Sequence, residues 1–301
     1  MPQRPIPRSL RRAVLAAALL LLPLQPAAAQ APGVAPGGLA VRPVGPDEAL
    51  PFLYAWARAQ GDGDVAAYVA SYDAARFQGV KRSPGSPEKR FDFAGWRADR
   101  EPQVKQRPLV QLDFVTLTTP QPGLARVSFQ QSYKLKGYED HGRKRIDLVR
   151  GPDGKPRIAY EELETSTRGP APRTPYREAL GLQGALTASF ERIKLSESDD
   201  SAVTSAVVLT LTGDAGSYAL GLGSYVGVHD PDLKSKPGAL TLSSWWAGAG
   251  DVLVAQLRGK PHKTLVITRE EQDEGMTTKP RPRDYALLTL PPGATVTFSA
   301  K

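Results

Sequence analysis

The stretch LARVSFQQSYK, residues 124–134, reads as a β-strand in which Tyr133 alternates with Gln131 and Phe129, so these three side chains share one face. It is one of four such runs. Residues 110–117, 124–134, 143–150 and 157–163 are separated by Pro120-Gln121-Pro122-Gly123, by 137–142 and by Gly151-Pro152-Asp153-Gly154. Upstream the period changes. Phe52, Leu53, Trp56 and Ala59 recur at helical spacing within 47–60, and Gly61-Asp62-Gly63-Asp64 stops that helix. Asp64 can cap a second helix carrying Val65, Tyr68, Val69 and Tyr72, and Asp92 a third, short one holding Trp96. Three helices followed by an antiparallel meander predict an α+β half in which the sheet curls over the helices to bury both.

The C-terminal half reads as strands alone: 186–195, 203–212, 218–228, 239–246, 251–257, 263–268, 285–290 and 295–299, with the clearest hairpin turn at 257–261. That pattern predicts an all-β sandwich or small barrel over 176–301. Between the halves, residues 166–175 are rich in proline and read as a linker, with one domain over 47–165 before it.

At the other end, Arg4, Arg8, Arg11 and Arg12 precede ten apolar residues, 13–22, and then Ala27-Ala28-Ala29, the layout of a signal peptide over 1–29. Ten residues rise about 15 Å as helix, half of a hydrocarbon core, so no stable membrane anchor is expected after cleavage. Residues 30–46 read as a flexible leader. Removing residues 1–29 takes four arginines and no acid, leaving 35 basic against 31 acidic groups. Residues 171–301 balance at 14 and 14, so the excess lies in the first half without a clustered basic face, and a nucleic-acid partner is excluded. The chain has no cysteine, which excludes disulfides, thiolate metal sites, a cysteine nucleophile and a lipid anchor built on that residue.

Trp56, the Gly-Asp linker, Tyr68, Tyr72, Phe77, Trp96, the 129–133 strand and the closing run 155–162 (KPRIAYEE) together resemble the nuclear-transport-factor-2-like (SnoaL-like) cone domain. More narrowly, they look like the version that accompanies bacterial L,D-transpeptidase domains. The resemblance covers residues 47–165 only, and Pro156 stands where that family often has tryptophan. It implies a curved sheet around a conical pocket. It does not imply the transpeptidase reaction, whose cysteine domain is missing.

Three histidines offer little chemistry. His141 and His262 read as turn residues, and His229-Asp230-Pro231-Asp232 as a structural turn with no second histidine to complete a metal site. The glycines of 221–227 fit neither a phosphate loop nor a nucleophile elbow. Trp245 and Trp246 are adjacent on a strand and cannot share one sugar-stacking face without a bulge. Inside the cone, Asp113, Asp147 or Glu161 pointing inward beside Tyr72 and Tyr133 would have a raised pKa and serve as a general base; alternation turns Asp147 away from Ile146 and Leu148, toward basic neighbours such as Arg145, Arg150 or Lys134. The reading is an exported, periplasmic or secreted, non-catalytic binding or scaffold protein of the bacterial envelope. Its candidate pocket is lined by Trp56, Tyr72, Trp96, Phe129, Gln131 and Tyr133. No cofactor or metal is expected. The expected partner is a cell-wall glycan or peptide or another envelope protein, and a homodimer through the sheet is a further expectation. The alternative is small-molecule isomerase, lyase or hydrolase chemistry at a cone carboxylate.

Overall fold

The computed structural model describes residues 42–82, 87–172, 174–196, 205–225, 228–236, 238–246, 249–260, 263–271 and 283–300. The expected signal peptide, most of the expected leader, and His262 lie outside them, as do the side chains of His229, Tyr225, Trp245 and Trp246. All described residues belong to one compact unit, Ala40–Lys301. The protein is α+β, mostly sheet with few helices.

Helix α1 (Pro46–Asp62) starts with proline at its first turn, followed by Asp47 and Glu48 at the positive end of its dipole, and stops at Gly63, whose φ of 74° only glycine adopts freely. Asp64 accepts from Ala67 N at 2.9 Å and starts α2 (Val65–Ala70); Asp92 accepts from Gly95 N at 2.8 Å and starts α3 (Phe93–Val104). The strands that follow α2 are β1 (Gln78–Lys81) and β2 (Lys89–Phe91), then after α3 β3 (Leu109–Gln121), β4 (Leu124–Leu135), β5 (Tyr138–Arg150), β6 (Pro156–Leu163) and β7 (Thr167–Arg168). The second half adds β8 (Tyr176–Ala179), β9 (Ala185–Lys194), β10 (Ser205–Gly213), β11 (Gly216–Tyr225) and β12 (Val228–Lys236). It ends with β13 (Ala239–Trp246), β14 (Ala249–Arg258), β15 (Thr264–Glu271), β16 (Arg283–Thr289) and β17 (Thr295–Phe298).

These strands make two sheets. One has eleven strands in the order β17-β9-β10-β11-β3-β4-β5-β6-β1-β2, with β7 beside β5; the other has six, β12-β13-β14-β15-β16-β8. Residues 47–165 and 176–301 therefore share a sheet, through antiparallel pairing of Tyr218, Ala219 and Leu220 with Thr118, Leu117 and Thr116. The expected linker does not separate two sheets. Arg168, inside it, belongs to β7 and pairs with Asp140. Not every ladder is antiparallel: β1 with β6, β17 with β9 and β16 with β8 run parallel.

Two buried clusters result. One lies between the helices and β3–β6, around Trp56, Trp96, Phe129, Ile146 and Ile158. The other is sandwiched between β9–β11 of the long sheet and β13–β16 of the short one, around Phe190, Leu209, Leu220, Leu253 and Ile267. β3 serves both. Its Asp113 pairs with Gln130 and its Thr116 with Ser128, so Phe114 and Val115 together oppose Phe129 in a bulge. Phe114 takes φ 51°, costly for a bulky side chain, and its ring stacks on Tyr176 at 4.8 Å in the second cluster. Val110, Leu112 and Val115 stay with the first.

Two expectations need correction. His229 to Asp232 is no turn: it lies in β12, with a register shift between His229 and Asp232. β12 is an edge strand, so the missing N–H of Pro231 is tolerated there. His141 likewise lies within β5, where Nδ1 sits 2.9 Å from Gly169 O.

Candidate functional site

The most chemically loaded point is buried at the meeting of α1, α2, α3, β5 and β6. Tyr68 lies in α2, but Tyr72, expected on the same helix, stands two residues past its end, where its backbone is fixed by a bridge to Ile158. The Tyr72 hydroxyl receives Trp56 Nε1–H at 3.2 Å and Trp96 Nε1–H at 3.3 Å, and lies 2.6 Å from both Tyr68 Oη and Glu161 Oε2. Glu161 Oε1 accepts from Lys144 Nζ at 2.6 Å. The pair is closed to solvent: Glu161 is 0% exposed, and Trp56 and Trp96 are 1% exposed.

Electrostatics follow from that burial. Burial, then the neighbouring Glu161 carboxylate, hold the Tyr68 and Tyr72 hydroxyls well above their ordinary pKa, so both remain donors at neutral pH. Burial lowers the Lys144 pKa, Arg100 lowers it further, and Glu161 opposes both. Lys144 Nζ also lies 5.2 Å from the centre of the Trp56 ring, and the Arg100 guanidinium 4.5 Å from that of Trp96. Around this core, Arg100 Nε and Nη2, Gln131 Oε1 and Gln60 Nε2 are buried with no hydrogen-bond partner.

Trp56, Tyr72, Trp96 and Phe129 are thus brought together, with Trp56 and Phe129 ring centres 6.2 Å apart, but they fill the interior and leave one another little open face. Gln131 and Tyr133 share the buried face of β4 with Phe129. Tyr133 sits nearer the rim, 6.5 Å from Tyr138, its pKa pushed up to about 12 by burial despite Arg100. Of the three carboxylates considered, only Glu161 points into this cluster. Asp147 makes a bidentate pair with Arg126, both bonds 2.8 Å, instead of the partners expected for it. Lys144 and Arg100 went unnoticed in the sequence. Lys144 had a signal, since it keeps the parity of Ile146 and Leu148.

An open site lies elsewhere. A groove of about 590 Å³ runs between α1 and the start of β3, walled by Leu50, Leu53, Leu112, Val115, Leu195 and Ala206. None of the six expected pocket residues borders it. Asp113 reaches its rim, open to water, yet the surrounding protein desolvates the carboxyl enough to raise its pKa. The Arg58–Asp62 ion pair, 3.3 Å, flanks the same groove. Among the described residues no cluster of three metal-ligating side chains occurs, and no helix is long and apolar enough to cross a membrane.

No family model matches the chain, and no curated protein matches it. Solved structures do. The helical cell shape determining protein Pgp2 (K307A mutant) of Campylobacter jejuni is 18% identical over 36% of this chain, with a TM-score of 0.30, and the match spans 37% of that protein's length. An NTF-2 like protein of unknown function from Shewanella oneidensis MR-1 is 13% identical, over 38% of this chain and 95% of its own, with a TM-score of 0.34. A putative dehydratase from the NTF2-like family of Streptomyces avermitilis is 12% identical, over 42% of this chain and 96% of its own, with a TM-score of 0.33.

Proposed function

We propose that the chain is an exported, non-catalytic binding or scaffold protein of the bacterial envelope. In this reading the N-terminal half is a nuclear-transport-factor-2-like cone of three helices under a curved sheet, and its partner is a cell-wall glycan or peptide or another envelope protein. The observation that carries it is the filled interior: Trp56 and Trp96 close over Glu161, whose two oxygens are already taken by Lys144 and Tyr72. A base that is neutralised and sealed in this way has no path to a substrate proton. Export is supported by the arginine, apolar and alanine run of residues 1–29. The test is expression of the full chain in a bacterial host, followed by fractionation and intact mass. The mature species should begin at Gln30, leave the cytoplasm, and sediment with purified cell-wall sacculi or isolated envelopes. A species retaining residues 1–29, or a mature one left wholly in the supernatant, would refute it.

One observation favours the enzyme reading: Glu161 points inward with a tyrosine partner. Under it, Glu161→Gln abolishes turnover of a small molecule while binding persists. Under the binding reading, the same substitution costs stability and leaves partner binding intact in whatever fraction folds.

A further inference from the structure

Strand β3 is paired with β4 along most of its length, but on its other edge β11 reaches only Thr116, Leu117 and Thr118. N-terminal to these, residues 109–115 have no strand on that side among the described residues. β11 leaves at Gly221, where an added Cβ would lie 3.4 Å from Val115 O, and follows β10 through a bulge of its own, Leu222 and Gly223 opposing Val207. The two strands part as a fork, each with a bulge at the point of separation. The groove lies in that fork, between residues 109–113 on one side and Leu195, Ala206 and Gly221 on the other.

Three features converge on one kind of occupant. An open strand edge presents unpaired amide and carbonyl groups, which an added strand satisfies. The apolar wall takes the alternate side chains of such a strand, and five residues of edge offer about 17 Å at roughly 3.4 Å per residue. Asp113 brings a desolvated carboxylate that has no hydrogen bond or ion pair among the described residues, and a cation supplies what it lacks. We infer that the fork receives an extended peptide, which adds as a strand along residues 109–113 and sets a basic side chain against Asp113. The inference rests on the binding reading above and names its partner as peptide rather than glycan.

The probe is an alternating valine–lysine pentapeptide, capped at both ends and labelled with fluorescein, titrated into the full chain and followed by anisotropy. Saturable binding is expected, lost when alternate amides are N-methylated, because methylation removes the donors that pair with the edge. Asp113→Lys lies on an exposed position and should fold. It should weaken the lysine peptide about tenfold or more and bind the valine–glutamate peptide better than the native chain does. No binding up to about 1 mM, indifference to N-methylation, or an unchanged charge preference each overturns the inference. So does a dimer that dissociates in Asp113→Lys while no peptide binds, which gives the edge to a second copy. Retention on sacculi is read separately, so a failure here leaves the envelope reading standing, and a failure there leaves this edge to be judged on the peptide alone.

Discussion

At the scale of single residues, the Glu161–Lys144–Tyr72 cluster decides whether the interior is a lock or an active centre. Removing one charge of a buried pair leaves the other uncompensated, a loss of about 3–5 kcal/mol. Glu161→Gln should therefore lower the urea midpoint strongly. Adding Lys144→Met to it should restore much of the loss, since no charge then remains to be solvated. A double variant as unstable as the single one would show that the pair is not what holds this region. Tyr72→Phe should cost about 2–4 kcal/mol, because two indole N–H groups and the Glu161 carboxylate lose a shared partner. Parity along β5 carried a signal for Lys144 that the sequence reading passed over, while Tyr68 and Tyr72 announced themselves by spacing. The orientation of Glu161 was not legible from alternation: Ile158 and Glu161 both face the core only because Ala159 is an extra residue in the β5–β6 ladder.

At the scale of elements, bulges explain most of what periodicity did not foresee. The aspartate caps of α2 and α3 and the glycine-bearing hairpin turns were legible because their chemistry is local. The bulges in β3, β6 and β12 were not, because a bulge depends on what the neighbouring strand does. The bulge of β3 moves Phe114 from one core to the other, a choice that residues 109–121 do not encode by themselves. A second tertiary constraint sits on β5. An added Cβ at Gly142 would lie within bonding distance of Thr165 O, and the backbone on either side is tied by Glu164 N and Thr165 N to Arg143 O. Gly142→Ala should thus force β5 and the chain after β6 apart, at about 1–3 kcal/mol or more. A melting temperature unchanged by Gly142→Ala would mean that this crossing yields freely.

At the scale of the whole molecule, the two halves are joined by the β3–β11 ladder and by Glu178, whose Oε2 accepts from Tyr176 at 2.8 Å and from Tyr218 at 2.5 Å while Arg143 of the first half stands 3.6 Å away. A protease nick within residues 166–175 should leave two fragments that co-elute and melt in one transition; fragments that separate on a sizing column would mean two independent bodies. The buried phenols set the alkaline limit. Burial raises Tyr68, Tyr72, Tyr176 and Tyr218 above the ordinary value and Tyr133 to about 12. The folded protein keeps these protons when the unfolded chain has released its own near pH ~10, so stability is whole below that and falls as pH rises toward the folded values, by up to about 1.4 kcal/mol per unit for each group. Lys144, with its lowered pKa, works in the opposite direction, but is one group against five. The phenolate absorbance of these five should therefore appear together with loss of circular dichroism between about pH 10 and 12; full phenolate absorbance of all ten tyrosines while the fold persists would contradict the burial described here. The parallel pairing of β17 with β9 carries a last consequence, one of timing. The edge beside β9 is closed by residues 295–298, which pair with 185–188, and the long sheet is joined by strands about a hundred positions apart, contacts that form slowly because so much chain must first be gathered. This sheet is thus completed late in folding, which leaves the polypeptide threadable for longer than a protein built from local hairpins.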